Sequence, residues 1–103
     1  MAREFERTQR VSHFLHEELA RLLQSTVRDP RVQEVNLTGV EVSRDLSHAK
    51  VFFTLMNDVS SEECAEVTAV LSKVSGFLRS ELAKASTMRT VPRISFRFDE
   101  SVG

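Results

Sequence analysis

The stretch of sequence that decides the fold runs from Ser60 to Phe98 and reads SSEECAEVTAVLSKVSGFLRSELAKASTMRTVPRISFRF. Its first part predicts a long amphipathic helix. Ser60 and Glu63 have the spacing of a capping box, in which the serine accepts a hydrogen bond from the Glu63 N–H and the glutamate side chain reaches back. Apolar residues then recur every three or four positions, as one stripe of a helix requires: Cys64, Val67, Val70, Leu71, Val74, Phe77, Leu78, Leu82 and Ala85.

Ser75 and Gly76 interrupt this helix without shifting its phase. Glycine inside a helix costs about 1 kcal/mol relative to alanine, and Gly/Ser pairs are a frequent cause of kinks. A straight helix from Glu62 to Ala85 would be about 36 Å long, more than strands of about 20 Å can cover. We therefore expect a kink that divides the stretch into two helices. The simpler interpretation is a glycine tolerated in an ordinary helix.

The end of the stretch predicts a strand with one buried face. Val91-Pro92 forces the chain to be extended. After it, Ile94, Phe96 and Phe98 alternate with polar residues. Because a helical crossover precedes this strand, we expect it to lie parallel to the strand before the crossover.

The residues before the stretch predict a helix and a hairpin. A helix from Arg7 to Val27 is followed by Asp29-Pro30, which ends it. A strand from Val35 to Ser43 changes its apolar parity after Gly39, which a β-bulge at that glycine would correct. A polar turn then leads into a return strand from His48 to Met56.

Together these elements predict an α+β fold of αββααβ order in a single domain, residues 1–103. We expect a three-stranded mixed sheet with helices packed on one face, and a kink between helix 2 and helix 3 at Ser75-Gly76.

Composition narrows the function classes. Three histidines and one cysteine cannot form a closed zinc site, and His13 and His16 lack a third ligand at matching spacing, so we expect no metal. No nucleophile partners the histidines and no phosphate-binding glycine loop is present, so we expect no enzyme and no cofactor. The lone Cys64 belongs to the apolar stripe and fits a reducing compartment. No segment is apolar for the length of a membrane span, so we expect a cytoplasmic protein without membrane contact.

The element order is that of type II KH domains, and the residues themselves resemble one family. The segments that carry the resemblance are Arg10-Val11, 18–23 (ELARLL), 28–32 (RDPRV), 42–52 (VSRDLSHAKVF), 75–82 (SGFLRSEL) and 91–96 (VPRISF). They strongly resemble the bacterial ribosome-binding factor A family over nearly the whole chain. That family has an Ala-x-Gly kink in place of the GxxG loop of ordinary KH domains, whereas this chain has Val74-Ser75-Gly76. Many relatives also carry a basic tail beyond the position of Gly103.

The resemblance implies a type II KH-like domain that binds the small (30S) ribosomal subunit and its rRNA. It implies a role in ribosome biogenesis, late in subunit maturation, that includes processing of the 5′ end of 16S rRNA and matters for adaptation to cold. We expect a monomer, with an assembly GTPase as a candidate partner.

RNA binding by shape and charge is the mechanism that we expect. Four residues lie at successive helical steps beside Gly76, and Arg79 is one position away: Lys73, Ser80, Lys84 and Thr87. Their cations and hydroxyls suit phosphate oxygens. Backbone N–H groups at the start of the second half-helix would add an anion site. The alternative is a solvated helix face on which Glu81 neutralises Arg79 and Lys84. The predicted RNA contacts are Arg3, Arg7, Arg10, Arg44, Lys73, Ser75, Gly76, Arg79, Ser80, Lys84, Arg89 and Arg93.

The arginines on helix 1 form a second candidate basic edge. Arg3, Arg7, Arg10 and Arg21 follow one flank of its apolar stripe. An equally good interpretation is a solvated face whose arginines pair with Glu17 and Glu18.

Two other functions remain open from the sequence. One is a protein-interaction module that recognises ribosomal proteins or a GTPase through Glu62, Glu63 and Glu66. The other is a BolA-like iron–sulfur accessory protein, a family with the same element order that uses a histidine late in the chain. No histidine follows His48, which counts against it.

Overall fold

The computed structural model describes residues 2–56, 60–86 and 90–100, with side chains from Phe5 onward in these ranges. It has the α+β class predicted from the sequence. In chain order the elements are α1 (Ala2–Ser25), α2 (Pro30–Gln33), β1 (Val35–Val42), β2 (His48–Leu55), α3 (Ser61–Ala85) and β3 (Arg93–Phe98).

The three strands form one mixed sheet in the order β1-β2-β3. β1 and β2 pair antiparallel and β3 lies parallel to β2, so both predicted pairings are confirmed. The register between β1 and β2 shifts between Leu37 and Gly39, which confirms the predicted β-bulge and makes Thr38 the extra residue. The bulge returns Val40 and Val42 to the face that carries Leu37, and both pack against the core.

One face of the sheet carries the core. Apolar side chains from the three strands lie side by side on it, as in the row formed by Val40, Val51 and Phe96. The long helices cover this face with leucines whose exposed fraction is 0%: Leu15, Leu19, Leu71, Leu78 and Leu82. Each such burial stabilises the fold by about 1.5–3 kcal/mol. Among the described residues, no helix packs core side chains against the opposite face of the sheet.

α3 is one continuous helix from Ser61 to Ala85, and Ser75 and Gly76 lie within it. The predicted division into two helices is therefore wrong, and the long elements follow the order αββαβ. Burial of Leu71 on one side of the glycine and Leu78 on the other outweighs the intrinsic cost of the glycine, about 1 kcal/mol. α3 also contacts α1 and α2, which cover part of its length.

The predicted N-cap of α3 is confirmed. The Ser60 hydroxyl accepts a hydrogen bond from the Glu63 N–H at 3.2 Å. The Ser60 hydroxyl in turn donates to the Glu63 carboxylate at 3.5 Å, so the glutamate reaches back to the serine side chain rather than to its backbone N–H. One free N–H of the first turn is thereby satisfied.

The short helix α2 was missed by the sequence interpretation, which took Asp29-Pro30 only as the end of α1. Asp29 is its N-cap and accepts a hydrogen bond from the Arg31 N–H at 3.0 Å, while Pro30 occupies the first helical position. The Gln33 amide donates to the Val27 carbonyl oxygen at 3.0 Å, which ties α2 to the chain leaving α1. α1 itself begins at Ala2 and ends at Ser25.

Membrane insertion by a helix finds no support in the described residues. None of their helices combines the length and the apolar content that a bilayer crossing needs.

Candidate nucleic-acid interface

An open groove of about 420 Å³ lies between the second half of α3 and the segment that leads into β3. On α3, positions at helical spacing line it, so their side chains share one face. The lining residues are Gly76, Arg79, Ser80, Ala83, Thr90 and Val91. We call this surface the Gly76 groove. It brings together three of the predicted RNA contacts, and sequence reasoning missed Ala83, Thr90 and Val91 because only the fold places residues 90 and 91 against α3.

Arg79 is held in place by the backbone of the neighbouring segment. Its Nε donates a hydrogen bond to the Val91 carbonyl oxygen at 3.1 Å. Neither Nη group has a partner among the described residues, so both remain able to donate to an anion. A guanidinium with its orientation fixed and two donors free is well suited to phosphate.

The sequence left open the alternative that Glu81 neutralises both Arg79 and Lys84. In the structure Glu81 forms an ion pair only with Lys84 among the described residues. Glu81 pairs with Lys84 at 2.9 Å, and the Lys84 side chain is 78% exposed. Arg79 instead uses the Val91 carbonyl. The second half of α3 therefore presents one fixed guanidinium and one exposed ammonium in a surface ion pair.

Gly76 provides room at the groove. A Cβ added at this position would meet no atom within 4 Å, and the backbone of Gly76 does not have a positive φ. Neither packing nor backbone conformation in the described structure therefore requires a glycine there. Its absent side chain leaves the α3 backbone accessible from the groove.

The expectation of an anion site at backbone N–H groups near Gly76 is wrong. Such a site needs the free N–H groups of a helix start, and α3 continues through this point without one. Ser75 is also less available than predicted, because its hydroxyl donates to the Ser72 carbonyl oxygen at 2.7 Å. Ser80 is exposed and lines the groove.

Lys73 lies in a different groove, of about 400 Å³, between α2 and α3. Asp29, Arg31 and Glu66 line the same groove. Asp29 and Arg31 pair at 3.0 Å; their hydrogen bond lowers the pKa of the aspartate and raises that of the arginine. This mixture of charges is less favourable for phosphate than the Gly76 groove.

The arginines of α1 whose side chains are described are all exposed, but only some of them are without an acidic partner among the described residues. Arg7 and Arg10 are exposed, and no ion pair involves them among the described residues. Arg21 pairs with Glu18 at 2.8 Å, and His13, rather than an arginine, pairs with Glu17 at 2.9 Å. The side chain of Arg3 and the whole of Arg89 lie outside the described residues.

Arg44 stands in the turn between β1 and β2, which Asp45 organises. One carboxylate oxygen of Asp45 accepts hydrogen bonds from the Ser43 hydroxyl at 2.8 Å, the Ser47 hydroxyl at 2.7 Å and the Ser47 N–H at 3.1 Å. These hydrogen bonds lower the pKa of Asp45 to about 2. The Ser47 hydroxyl has the largest effect, and the Ser43 hydroxyl has the next largest. Leu46 adopts a left-handed φ of 61° in this turn.

Arg93 does not line the Gly76 groove. It pairs in register with His48, and its neighbour Ile94 is 7% exposed and points into the core. Because side chains alternate along a strand, Arg93 lies on the sheet face away from the helices. The structure therefore separates Arg93 from Arg79, although the sequence interpretation placed both in one footprint.

Metal binding has no cluster to support it in the part of the chain that the structure describes. No group of three histidine, cysteine, aspartate or glutamate side chains comes together there. His16 contacts the Leu37 carbonyl oxygen at 3.2 Å, and His48 contacts the Ser95 hydroxyl at 3.1 Å. Cys64 is a free, partly buried thiol.

Comparisons with known proteins assign this chain to one family. The sequence model of the family described as ribosome-binding factor A matches residues 7–103. Ribosome-binding factor A of Pseudomonas fluorescens SBW25 is 49% identical over 102 residues, which cover 99% of this chain and 78% of that protein. The corresponding protein of Thioalkalivibrio sulfidiphilus is 46% identical and covers 98% and 77% of the two chains.

Solved structures agree. The crystal structure of ribosome-binding factor A from Thermus thermophilus matches with a TM-score of 0.76 and 25% identity, over 88% of this chain and 93% of that one. A homology model of the Thermus thermophilus factor, fitted into a cryo-electron-microscopy map of a 30S complex with that factor, matches with a TM-score of 0.68 and 25% identity, over 86% and 91% of the two chains. The chain described here belongs to the ribosome-binding factor A family.

Proposed function

We propose that this chain binds the small ribosomal subunit and acts in its late maturation, including processing of the 5′ end of 16S rRNA. The observation that carries the proposal is family membership over residues 7–103. The Thermus relative fitted into the map of a 30S complex supports it. The proposal is for a monomer that acts by binding, without catalysis, in the cytoplasm where bacterial ribosomes assemble.

The Gly76 groove is the surface on which we infer contact with rRNA. The Nη groups of Arg79, which have no partner among the described residues, provide positive charge, and the Ser80 hydroxyl provides a further donor. The exposed ammonium of Lys84 adds positive charge one helical turn from Ser80. The exposed pair between Lys84 and Glu81 contributes about 0–1 kcal/mol, so a phosphate can replace the carboxylate at little cost. Contacts of this kind position a protein on RNA without reading its sequence.

Co-sedimentation tests subunit binding directly. The purified chain is spun through sucrose with free 30S subunits and, separately, with complete ribosomes, over a series of potassium chloride concentrations. We expect it to pellet with free subunits and not with complete ribosomes. The logarithm of the affinity should fall linearly with the logarithm of salt, with a slope of about 0.7–0.9 for each phosphate contacted. A flat plot would contradict binding through phosphates.

Charge reversal at a cation beside the Gly76 groove tests where the contact lies. Lys84→Glu should weaken co-sedimentation, because it places a carboxylate in the path of phosphate. Arg28→Glu makes the same change at an exposed arginine between α1 and α2, outside the groove, and should leave binding unchanged. Circular dichroism checks that both variants are folded. Equal losses in the two variants would mean that general charge, rather than the groove, determines binding.

A protein partner on the subunit is the second candidate, and the acidic start of α3 favours it. Glu62, Glu63 and Glu66 are all exposed on the first turns of this helix. Such a patch suits a basic ribosomal protein or the basic surface of an assembly GTPase. Cross-linking within the 30S complex from cysteines placed at position 63 and at position 80 would separate the two surfaces. We expect position 80 to cross-link to rRNA and position 63 to protein.

A further inference from the structure

The face of the sheet that points away from the helices is open and polar. Pairing in register places side chains of all three strands on it, and every one of them is exposed or only partly buried. None belongs to the hydrophobic core. The residues of this open sheet face are Asn36, Gly39 and Glu41 on β1, His48, Lys50, Phe52 and Thr54 on β2, and Arg93, Ser95 and Arg97 on β3.

Phe52 is the one phenylalanine among the described residues of this face, and it does not pack against the hydrophobic core. It is only partly buried, and it is not among the apolar residues that pack against the core. Gly39 lies opposite it on β1 and Arg97 on β3. A Cβ added at Gly39 would meet no atom within 4 Å, so the Phe52 ring does not cover the glycine. The space on that side of the ring is free.

Three cations lie on the same sheet face as the ring. Lys50, Arg93 and Arg97 are exposed, and none of them forms an ion pair among the described residues. Glu41 is the neighbour of Lys50 in register, but the two do not come within ion-pair distance. The carboxylate of Asp99, beyond the end of β3, accepts a hydrogen bond from Thr38 at 2.6 Å. Because three cations stand against the two carboxylates of Glu41 and Asp99, the face has a net positive charge.

We propose that the open sheet face binds single-stranded RNA, with an unpaired base stacked on Phe52 and adjacent phosphates on Lys50, Arg93 and Arg97. An aromatic ring on a sheet surface can stack only on a base that is not paired, and nearby cations bind the backbone that carries that base. This surface shares no residue with the Gly76 groove. It goes beyond the proposed function, because it adds a second RNA contact that does not depend on α3.

Binding of a defined oligonucleotide tests the proposal. Fluorescence anisotropy is measured with the full chain and a labelled ten-nucleotide oligouridylate, and with an RNA hairpin of similar charge whose bases are paired. We expect saturable binding of the oligouridylate and weaker binding of the hairpin stem. No binding of the oligouridylate, or equal binding of both RNAs, would overturn the proposal.

Amide chemical shifts of the unmodified chain locate the contact without any substitution. On addition of oligouridylate, the largest changes should fall on β2 and β3 at Lys50, Phe52, Ser95 and Arg97. Changes confined to α3 and the Gly76 groove would overturn the proposal.

Two pairs of variants test the chemistry. Phe52→Leu removes the ring and keeps an apolar side chain, and Phe77→Leu makes the same change at a phenylalanine on α3 that is 44% exposed. Loss of one base–aromatic stack should weaken oligouridylate binding by about fivefold or more in the first variant only. Arg97→Ala should also weaken binding, whereas Arg28→Ala should not. Equal effects within either pair would overturn the proposal.

Subunit binding gives an independent outcome. If oligouridylate binds at the sheet face but the chain does not sediment with 30S subunits, the proposed function fails and the sheet-face inference stands. If the chain sediments with 30S subunits but oligouridylate binds at α3 or not at all, the inference fails and the proposed function stands.

Discussion

Arg79 donates from Nε to the carbonyl oxygen of Val91 at 3.1 Å, which joins the second half of α3 to the segment that enters β3. The two residues are 12 positions apart in the sequence, on either side of the end of α3. Their contact fixes one wall of the Gly76 groove relative to the other. Arg79 therefore stabilises the fold and, at the same time, is a candidate RNA contact.

Replacing Arg79 by alanine should reduce stability as well as binding. Val91 is 5% exposed, so its carbonyl oxygen would lose a partner that water replaces poorly. We expect the free energy of unfolding in urea to fall by about 1 kcal/mol. Lys84→Ala is the matched control, because it breaks only an exposed ion pair and should cost about 0.3–0.5 kcal/mol. Equal losses would mean that the Arg79 hydrogen bond contributes no more than a surface pair.

Replacing Gly76 by alanine should stabilise the protein. An added Cβ meets nothing within 4 Å, and alanine is favoured over glycine in a helix interior by about 0.5–1 kcal/mol. Urea unfolding measures the gain. If subunit binding falls although stability rises, the groove needs the missing side chain for close approach of RNA. Ala83→Gly, at another position of the same groove, should do the reverse: it should lower stability and leave the groove open. A loss of stability in Gly76→Ala would mean that the glycine serves packing.

The two lysines of α3 should differ in their effect on salt dependence. Lys84→Ala removes a cation beside the Gly76 groove and should reduce the salt slope of subunit binding by about 1. Lys73→Ala should reduce it by less, because Lys73 shares its groove with Asp29, Arg31 and Glu66. Co-sedimentation over a salt series measures both slopes. A larger change for Lys73 would move the RNA contact to the groove between α2 and α3.

The turn between β1 and β2 should lose stability in acid through Asp45. The hydroxyls of Ser47 and Ser43 lower its pKa from 3.8 to about 2 in the folded protein. A lowered pKa means that the unfolded chain binds the proton more tightly, so the contribution is present above pH 4 and disappears as the pH falls to about 2. Asp45→Asn cannot titrate. The difference in unfolding free energy between the native protein and this variant should therefore be constant above pH 5, shrink below pH 4 and level off near pH 2. A difference independent of pH across this range would contradict the role of the carboxylate.

The secondary structure was largely predictable because its causes are local. Alternation of Ile94, Phe96 and Phe98 predicts a strand with one buried face, and the change of parity at Gly39 predicts the bulge that the register confirms. The exception is Gly76. Its propensity predicts a break, but the burial of leucines on both sides stabilises an unbroken α3. Local propensity is a small term beside such burial.

The candidate site was predictable only as a set of residue types. Spacing on α3 placed Gly76, Arg79 and Ser80 on neighbouring positions, and the structure brings them to one groove. Spacing along α3 does not show that Lys73 faces α2, because the sequence interpretation did not include the helix α2.

By itself, the sequence determined the strands, the helical character of the two long segments and the cap at Ser60, since each depends on residues close along the chain. That α3 is one continuous helix was decided by the tertiary structure. Only the tertiary structure decided which cations share a surface. The crossover from β2 through α3 to β3 puts Arg79 on the helix side of the sheet and Arg93 on the open side. The physical reason is that side chains alternate across a strand, so the packing of one sheet face against the helices fixes what remains on the other.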